Sequence, residues 1–172
     1  MRTLWLRDRA LDLDRVRLLG VLNLTPDSFS DGGRYLDPER ALERAREMVA
    51  EGADILDLGA ESTRPGAAPV PVEEEKRRLL PVLEAVLSLG VPVSVDTRKP
   101  EVAEEALKLG AHLLNDVTGL RDERMVALAA RHGVAAVVMH MPVPDPATMM
   151  AHARYRDVVA EVKAFLEAQA KR

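Results

Sequence analysis

At 172 residues and 47% hydrophobic composition, the chain is long and apolar enough to bury the core of one domain. Its 28 acidic and 24 basic side chains are interspersed and sum to −4, which argues against nucleic acid as a partner. The absence of cysteine excludes disulfides and thiolate metal sites, and no apolar run reaches the roughly 20 residues of a membrane span, so the expectation is a cytoplasmic protein with no membrane partner.

The first predicted element is a β-hairpin within residues 3–14, in a start too charged for a signal peptide. An apolar strand, VRLLGVLN (16–23), follows and ends at Asn23. The residues after it, LTPDSFSDGG (24–33), are short and polar. Asn23 offers a hard amide oxygen suited to Mg²⁺, and Asp27 offers support to the same ion or a bound water. Thr25, Ser28 and Ser30 supply hydroxyls for phosphate oxygens, while Gly32 and Gly33 permit close backbone approach or movement. By composition alone, a solvated connection built on a Thr-Pro-Asp turn is the simpler reading.

Asp37-Pro38 then marks a helix start, with Leu42, Ala45, Met48 and Val49 at helical spacing. Four segments repeat one layout of helix end, glycine, apolar run and polar residue: EGADILDLGAE (51–61), LGVPVSVDT (89–97), LGAHLLNDV (109–117) and HGVAAVVMH (132–140). Gly52, Gly90, Gly110 and Gly133 fall where a helix end needs a left-handed residue, and the runs after them suit strands buried on both faces. Further helices are read from Leu79, Leu80, Leu83, Val86 and Leu87, from Lys99-Pro100 onward, from Val126, Leu128 and Ala129, and from Val158, Val162 and Phe165. Residues 142–149 read as a Pro-dense loop, and Glu73, Glu74 and Glu75 as a solvated helix start. Strand and helix thus alternate five times in one domain over residues 1–172, which requires a parallel sheet covered by helices, either doubly wound or closed as a barrel.

In both architectures ligands bind at the carboxyl ends of the strands. Those ends are predicted to carry Asn23, Asp57, Asp96, Asn115 with Asp116, and Met139 with His140. Taken singly, each is an ordinary turn residue; together they form a ring of donors and acceptors at one rim. The loop ESTRPGAAPVPVEEE (61–75) adds Thr63 and the planar fork of Arg64, an anion grip unless Arg64 is one more surface cation, with Glu61 placed to hold Arg64 or its neighbours. Asp96 and Asn115 suit a planar amino-heterocycle, the carboxylate accepting two hydrogen bonds and the carboxamide meeting ring donors and acceptors. The competing role for Asp96 is a salt bridge to Arg98 or Lys99. The four histidines lack metal-ligand spacing, and no dinucleotide, Walker or nucleophile-elbow motif occurs.

GVLNLTPDSFSDGGRY (20–35) and GADILDLGAESTRPGA (52–67) resemble the two signature segments of the dihydropteroate synthase family, and SVDTRKPEVAEEALKLGAHLLNDVTGL and VVMHMPVPDPATM resemble its next segments. The resemblance implies a (β/α)₈ TIM barrel, of which this chain would hold about the first five β/α units behind an N-terminal β-hairpin. It implies a sulfonamide-target transferase of folate synthesis that joins p-aminobenzoate to 6-hydroxymethyl-7,8-dihydropterin diphosphate, releases diphosphate, uses Mg²⁺ and forms a homodimer. By the same likeness Asn23, Asp27, Asp57 and Arg64 are catalytic, Asn23 being the metal ligand and Asp57 organising the rim. Thr63 and Arg64 contact the diphosphate or the aminobenzoate site, Asp96 and Asn115 hold the pterin, and Met139 packs against it. A full barrel takes about 250 residues, so the chain is expected to be incomplete at its C-terminus and inactive by itself. The alternatives are a pterin-binding methyltransferase of the same barrel type and a non-catalytic pterin-binding or scaffold domain.

Overall fold

The computed structural model describes residues 2–25, 37–64 and 66–172. A hairpin of β1 (Thr3–Leu6) and β2 (Arg9–Asp12) precedes a five-stranded parallel sheet of β3 (Leu19–Asn23), β4 (Ile55–Gly59), β5 (Val93–Asp96), β6 (Leu113–Asp116) and β7 (Ala135–Val138). Helices α1 (Pro38–Ala50), α2 (Val72–Leu87), α3 (Pro100–Leu109) and α4 (Glu123–His132) connect the strands, and α5 (Met149–His152) and α6 (Val158–Ala170) follow β7. The strands lie side by side in chain order without reversal, and successive helices pack on one another. That sequence of right-handed crossovers is the barrel's, of which these are five β/α units, and a doubly wound sheet would reverse its order.

Local chemistry sets the element ends as the sequence indicates. The Asp37 side chain accepts from Glu39 N at 2.9 Å, capping α1 with Pro38 in its first turn. Gly110 and Gly133 close α3 and α4 in the left-handed conformation, and Gly52 and Gly90 adopt positive φ just past α1 and α2. Leu22, Leu56, Leu58, Val93, Val95 and Leu114 point to the helix side of the sheet and are at most 1% exposed. Each stabilises the layer by about 2 kcal/mol through apolar burial. The hairpin closes the amino-terminal end of the sheet: Leu6 is fully buried, and Arg7 Nη1 donates to Leu107 O at 2.7 Å and Ala111 O at 3.3 Å.

Several expectations need correction. Only β4 is buried along its whole length; β3 and β7 flank the sheet, and Val21 and Val137 on its inner face are exposed. Glu75 is fully buried, because it stands one turn before Leu79 on the apolar stripe of α2. Residues 142–149 are not all loop: a 3₁₀ turn at Pro146–Thr148 runs into α5 (Met149–His152). Helix α6 buries no residue, and its Val158 is exposed. No helix among the described residues is long and apolar enough to cross a membrane.

The turn after β6 carries a measurable constraint. Asp116 faces the helix layer, opposite to Asn115, and accepts from Thr118 N at 2.8 Å and Leu120 N at 3.1 Å. It shapes its own turn and does not join the rim ring. Gly119, at φ +74°, lies so close beneath Met139 that a Cβ there would fall 2.3 Å from the Met139 carbonyl oxygen. Gly119→Ala is expected to cost about 2–3 kcal/mol, from positive φ and from overlap with backbone. Gly66→Ala, at φ +79° with no neighbour within 4 Å, should cost only about 1 kcal/mol. Urea unfolding of the two variants tests the difference, and equal midpoints would remove the steric argument.

Candidate active site

Strand register assembles the site in two rows. Asn23, Gly59, Asp96, Asn115 and Val137 pair in turn across all five strands, and paired residues of a parallel sheet share a face. Val21, Asp57, Ser94, Leu113 and Ala135 form the row beneath. Asn23, Asp96 and Asn115 therefore open on one mouth, with Asp96 and Asn115 on adjacent strands roughly 5 Å apart. Asp57 is not a strand-end residue as expected. It lies two residues before the end of β4, 2% exposed, in the floor below the row that meets solvent.

The floor is polar. Asn115 Nδ2 donates to Asp57 Oδ2 at 3.0 Å. Asp57 Oδ1 and Ser94 Oγ are buried and have no hydrogen-bond partner among the described residues. A Cβ on Gly59 would come 3.3 Å from Asp96 Cβ and 3.5 Å from its Oδ2, so the missing side chain leaves the space between Asn23 and Asp96 clear. Burial, then the negative charges of Asp57, Asp116, Glu75 and Glu61, push the Asp96 carboxyl up to about 7. It is set to accept N–H donors from a ligand that offsets this charge.

The loop after β4 forms one wall. A cleft of about 290 Å³ is lined by Asn23, Thr25, Glu61, Ser62, Thr63, Arg64 and Asp96. Ser62 Oγ accepts from Arg64 N at 3.4 Å, and among the described residues Arg64 makes no ion pair, so its guanidinium is available to an anion. Glu61 does not hold Arg64. It accepts from Val70 N at 3.1 Å and pairs with Arg98 at 3.2 Å and Lys99 at 2.6 Å. Burial opposes the charge on Glu61, yet the hydrogen bonds from Arg98 and Lys99 leave its carboxyl below the ordinary glutamate range. Lys99 also pairs with Glu75, whose other oxygen accepts from Thr97 Oγ1 at 2.6 Å. Arg98 and Lys99 are thus committed to Glu61 and Glu75, and neither forms the salt bridge considered for Asp96.

Two other residues complete the comparison. Met139, 40% exposed, follows β7 on the face of Asn115 and Val137, but it does not line this cleft. Asp27, with Ser28, Ser30, Gly32 and Gly33, lies outside the described residues. Sequence reasoning passed over Gly59, Ser94 and the Glu61–Lys99–Glu75 network. Ser94 alternates with the inward Asp96 in VSVD, so its direction was readable. The cleft thus joins an acidic end, suited to a donor-rich flat ring, with a cationic wall suited to an anion.

Residues 19–172 match the sequence pattern of the family described as pterin binding enzyme. The chain belongs to the pterin binding enzyme family. Among curated relatives of this family, dihydropteroate synthase of Escherichia coli is 45% identical over 170 residues, which cover 98% of this chain and 60% of that protein. The crystal structure of dihydropteroate synthase from Thermus thermophilus in complex with 4-aminobenzoate superposes with a TM-score of 0.87 at 90% identity, covering 99% of this chain and 60% of the other. The Yersinia pestis enzyme in a sulfonamide drug complex gives 0.89 at 40% identity, covering 99% and 62%. The chain therefore spans about 60% of the length of these three pterin binding enzymes.

Proposed function

We propose that the protein acts as a dihydropteroate synthase, joining p-aminobenzoate to 6-hydroxymethyl-7,8-dihydropterin diphosphate with loss of diphosphate. The observation that carries this reading is the single row Asn23–Gly59–Asp96–Asn115 on one face of the sheet, of which Asn23 and Asp96 line one cleft with Thr63 and Arg64. The relatives named above are dihydropteroate synthases, and a Thermus thermophilus structure of 85% identity is a complex with 6HMPPP.

In this reading the Asp96 carboxylate accepts two N–H bonds from the amino-pyrimidine edge, and Asn115 satisfies neighbouring ring atoms. Negative charge at that edge raises electron density in the ring, which stabilises a methylene that becomes cationic as its C–O bond to diphosphate breaks. Arg64 neutralises charge growing on the departing oxygens, and Thr63 donates its hydroxyl hydrogen to them. The arylamine nitrogen then forms the new C–N bond and loses a proton.

A metal fits this arrangement only as a companion of the diphosphate. No three acidic or histidine side chains among the described residues are grouped so as to hold a metal ion, whereas Mg²⁺ commonly takes one or two protein oxygens together with substrate phosphates. The Asn23 amide oxygen at the cleft rim is such a ligand, with Asp27 in support, and the ion would supply charge neutralisation to the leaving group.

Calorimetry with two ligands tests the assignment. Pterin diphosphate with Mg²⁺ is expected to bind, and methyltetrahydrofolate is expected to give no heat. The reverse preference would assign the site to a methyl-transferring relative and overturn the synthase reading.

A further inference from the structure

Asp57 belongs to no contact that the proposed reaction uses, yet it is one of the most buried charged side chains in the sheet. Its carboxylate offers only acceptors, so the group turned toward it by Asn115 must be the amide nitrogen. The observed bond is that one, Asn115 Nδ2 to Asp57 Oδ2 at 3.0 Å. A free carboxamide has two nearly equivalent orientations that exchange the places of oxygen and nitrogen. With Nδ2 committed downward, the Asn115 oxygen and the second N–H keep fixed places toward the mouth. A ligand must then present a donor and an acceptor on neighbouring ring atoms in one order and not the other.

We infer that Asp57 is a positioning residue: it locks the Asn115 carboxamide in one orientation and so sets the donor–acceptor order that the site reads in a heterocycle. The inference rests on the pterin reading above for the identity of that heterocycle. The lock itself stands independently of any ligand. The other carboxylate oxygen, Asp57 Oδ1, is buried and has no hydrogen-bond partner among the described residues, which shapes the expected behaviour of variants. In Asp57→Asn the new amide can keep its oxygen toward Asn115, with its NH₂ in the place of the unpartnered Oδ1, preserving the lock. In Asp57→Val no acceptor remains, and Asn115 is free to flip.

The test has two arms on the whole chain, with thermal melting confirming that each variant is folded. Side-chain amide NMR without ligand should show one Asn115 Nδ2 proton protected from exchange and shifted downfield in the wild type and in Asp57→Asn, but not in Asp57→Val. Equal behaviour of both protons in wild type and Asp57→Val would overturn the lock. In the second arm, 6-hydroxymethylpterin is titrated by calorimetry. Asp57→Val should bind about tenfold more weakly, the worth of one mispaired buried polar contact, and Asp57→Asn should recover most of that loss. Undiminished binding by Asp57→Val, or an Asp57→Asn protein as weak as Asp57→Val, would overturn the positioning role. Failure of the wild type to bind the pterin would remove the pterin reading instead, leaving the NMR comparison to decide the lock.

Discussion

Asp96→Asn is expected to abolish pterin binding while making the free protein more stable above neutral pH. The carboxyl is pushed up to about 7, chiefly by burial and then by Asp57, against 3.8 for an unperturbed aspartate. Between those two values the folded chain holds a proton that the unfolded chain has released, so stability falls as pH rises through the window and levels off above about 7. The full cost of ionising Asp96 in the fold is of the order of 2–4 kcal/mol. Asparagine of the same shape carries no such cost, and its unfolding midpoint in urea should exceed that of the wild type at pH 8 and match it near pH 4. Binding moves the other way. Two charge-assisted hydrogen bonds are lost and one amide donor faces ligand donors, a change worth about a thousandfold in affinity. In the wild type, affinity for 6-hydroxymethylpterin should drop about tenfold per unit below pH 7, because Asp96 must give up its proton to accept both bonds. A pH-independent affinity, or an Asp96→Asn protein less stable than wild type at pH 8, would refute this account.

Lys99→Met is expected to be the most destabilising exposed-to-interior change in the rim, at about 3–5 kcal/mol. Its ammonium bridges Glu61 and the fully buried Glu75; removal leaves Glu61 with Arg98 but Glu75 with only the Thr97 hydroxyl against a buried carboxylate. Lys99→Met combined with Glu75→Leu should regain most of the stability, since an apolar replacement of a buried pair is often neutral. Were the double variant no better than the single one, the cost would lie in lost packing of the lysine stem and not in unpaired charge.

How far these features could be read from residues alone depends on whether they follow from periodicity or from contact. The five β/α units were legible because glycine closes each helix before an apolar run, and Gly110 and Gly133 do so with the expected left-handed backbone. Convergence of Asn23, Asp96 and Asn115 is legible too, since Asn23 and Asp96 end their strands of one parallel sheet and Asn115 stands one residue before the end of its own. Alternation within a strand carries more than its ends do. It puts Asp57 and Ser94 on the inner face and Asp116 on the outer, which separates floor, rim and turn without any coordinates. Glu75 looks like its solvated neighbours Glu73 and Glu74, although a count of 75, 79, 82, 83 and 86 along α2 lays it on the apolar stripe. What no pattern carries is the pairing itself: that Lys99 reaches Glu75 and that Asp57 receives Asn115 depends on side chains 24 and 58 residues apart.

The Glu61–Lys99–Glu75 network also bears on how the binding loop behaves. Its root is bolted at Glu61 to β5's following turn and, through Lys99, to the interior of α2, so Ser62, Thr63 and Arg64 ride on a stiff pedestal. A ligand arriving there meets a wall whose geometry already exists, and only the guanidinium tip has to find its place. A change at Lys99, which touches neither Thr63 nor Arg64, would then be felt at the wall those two residues form, through Glu61 at its root.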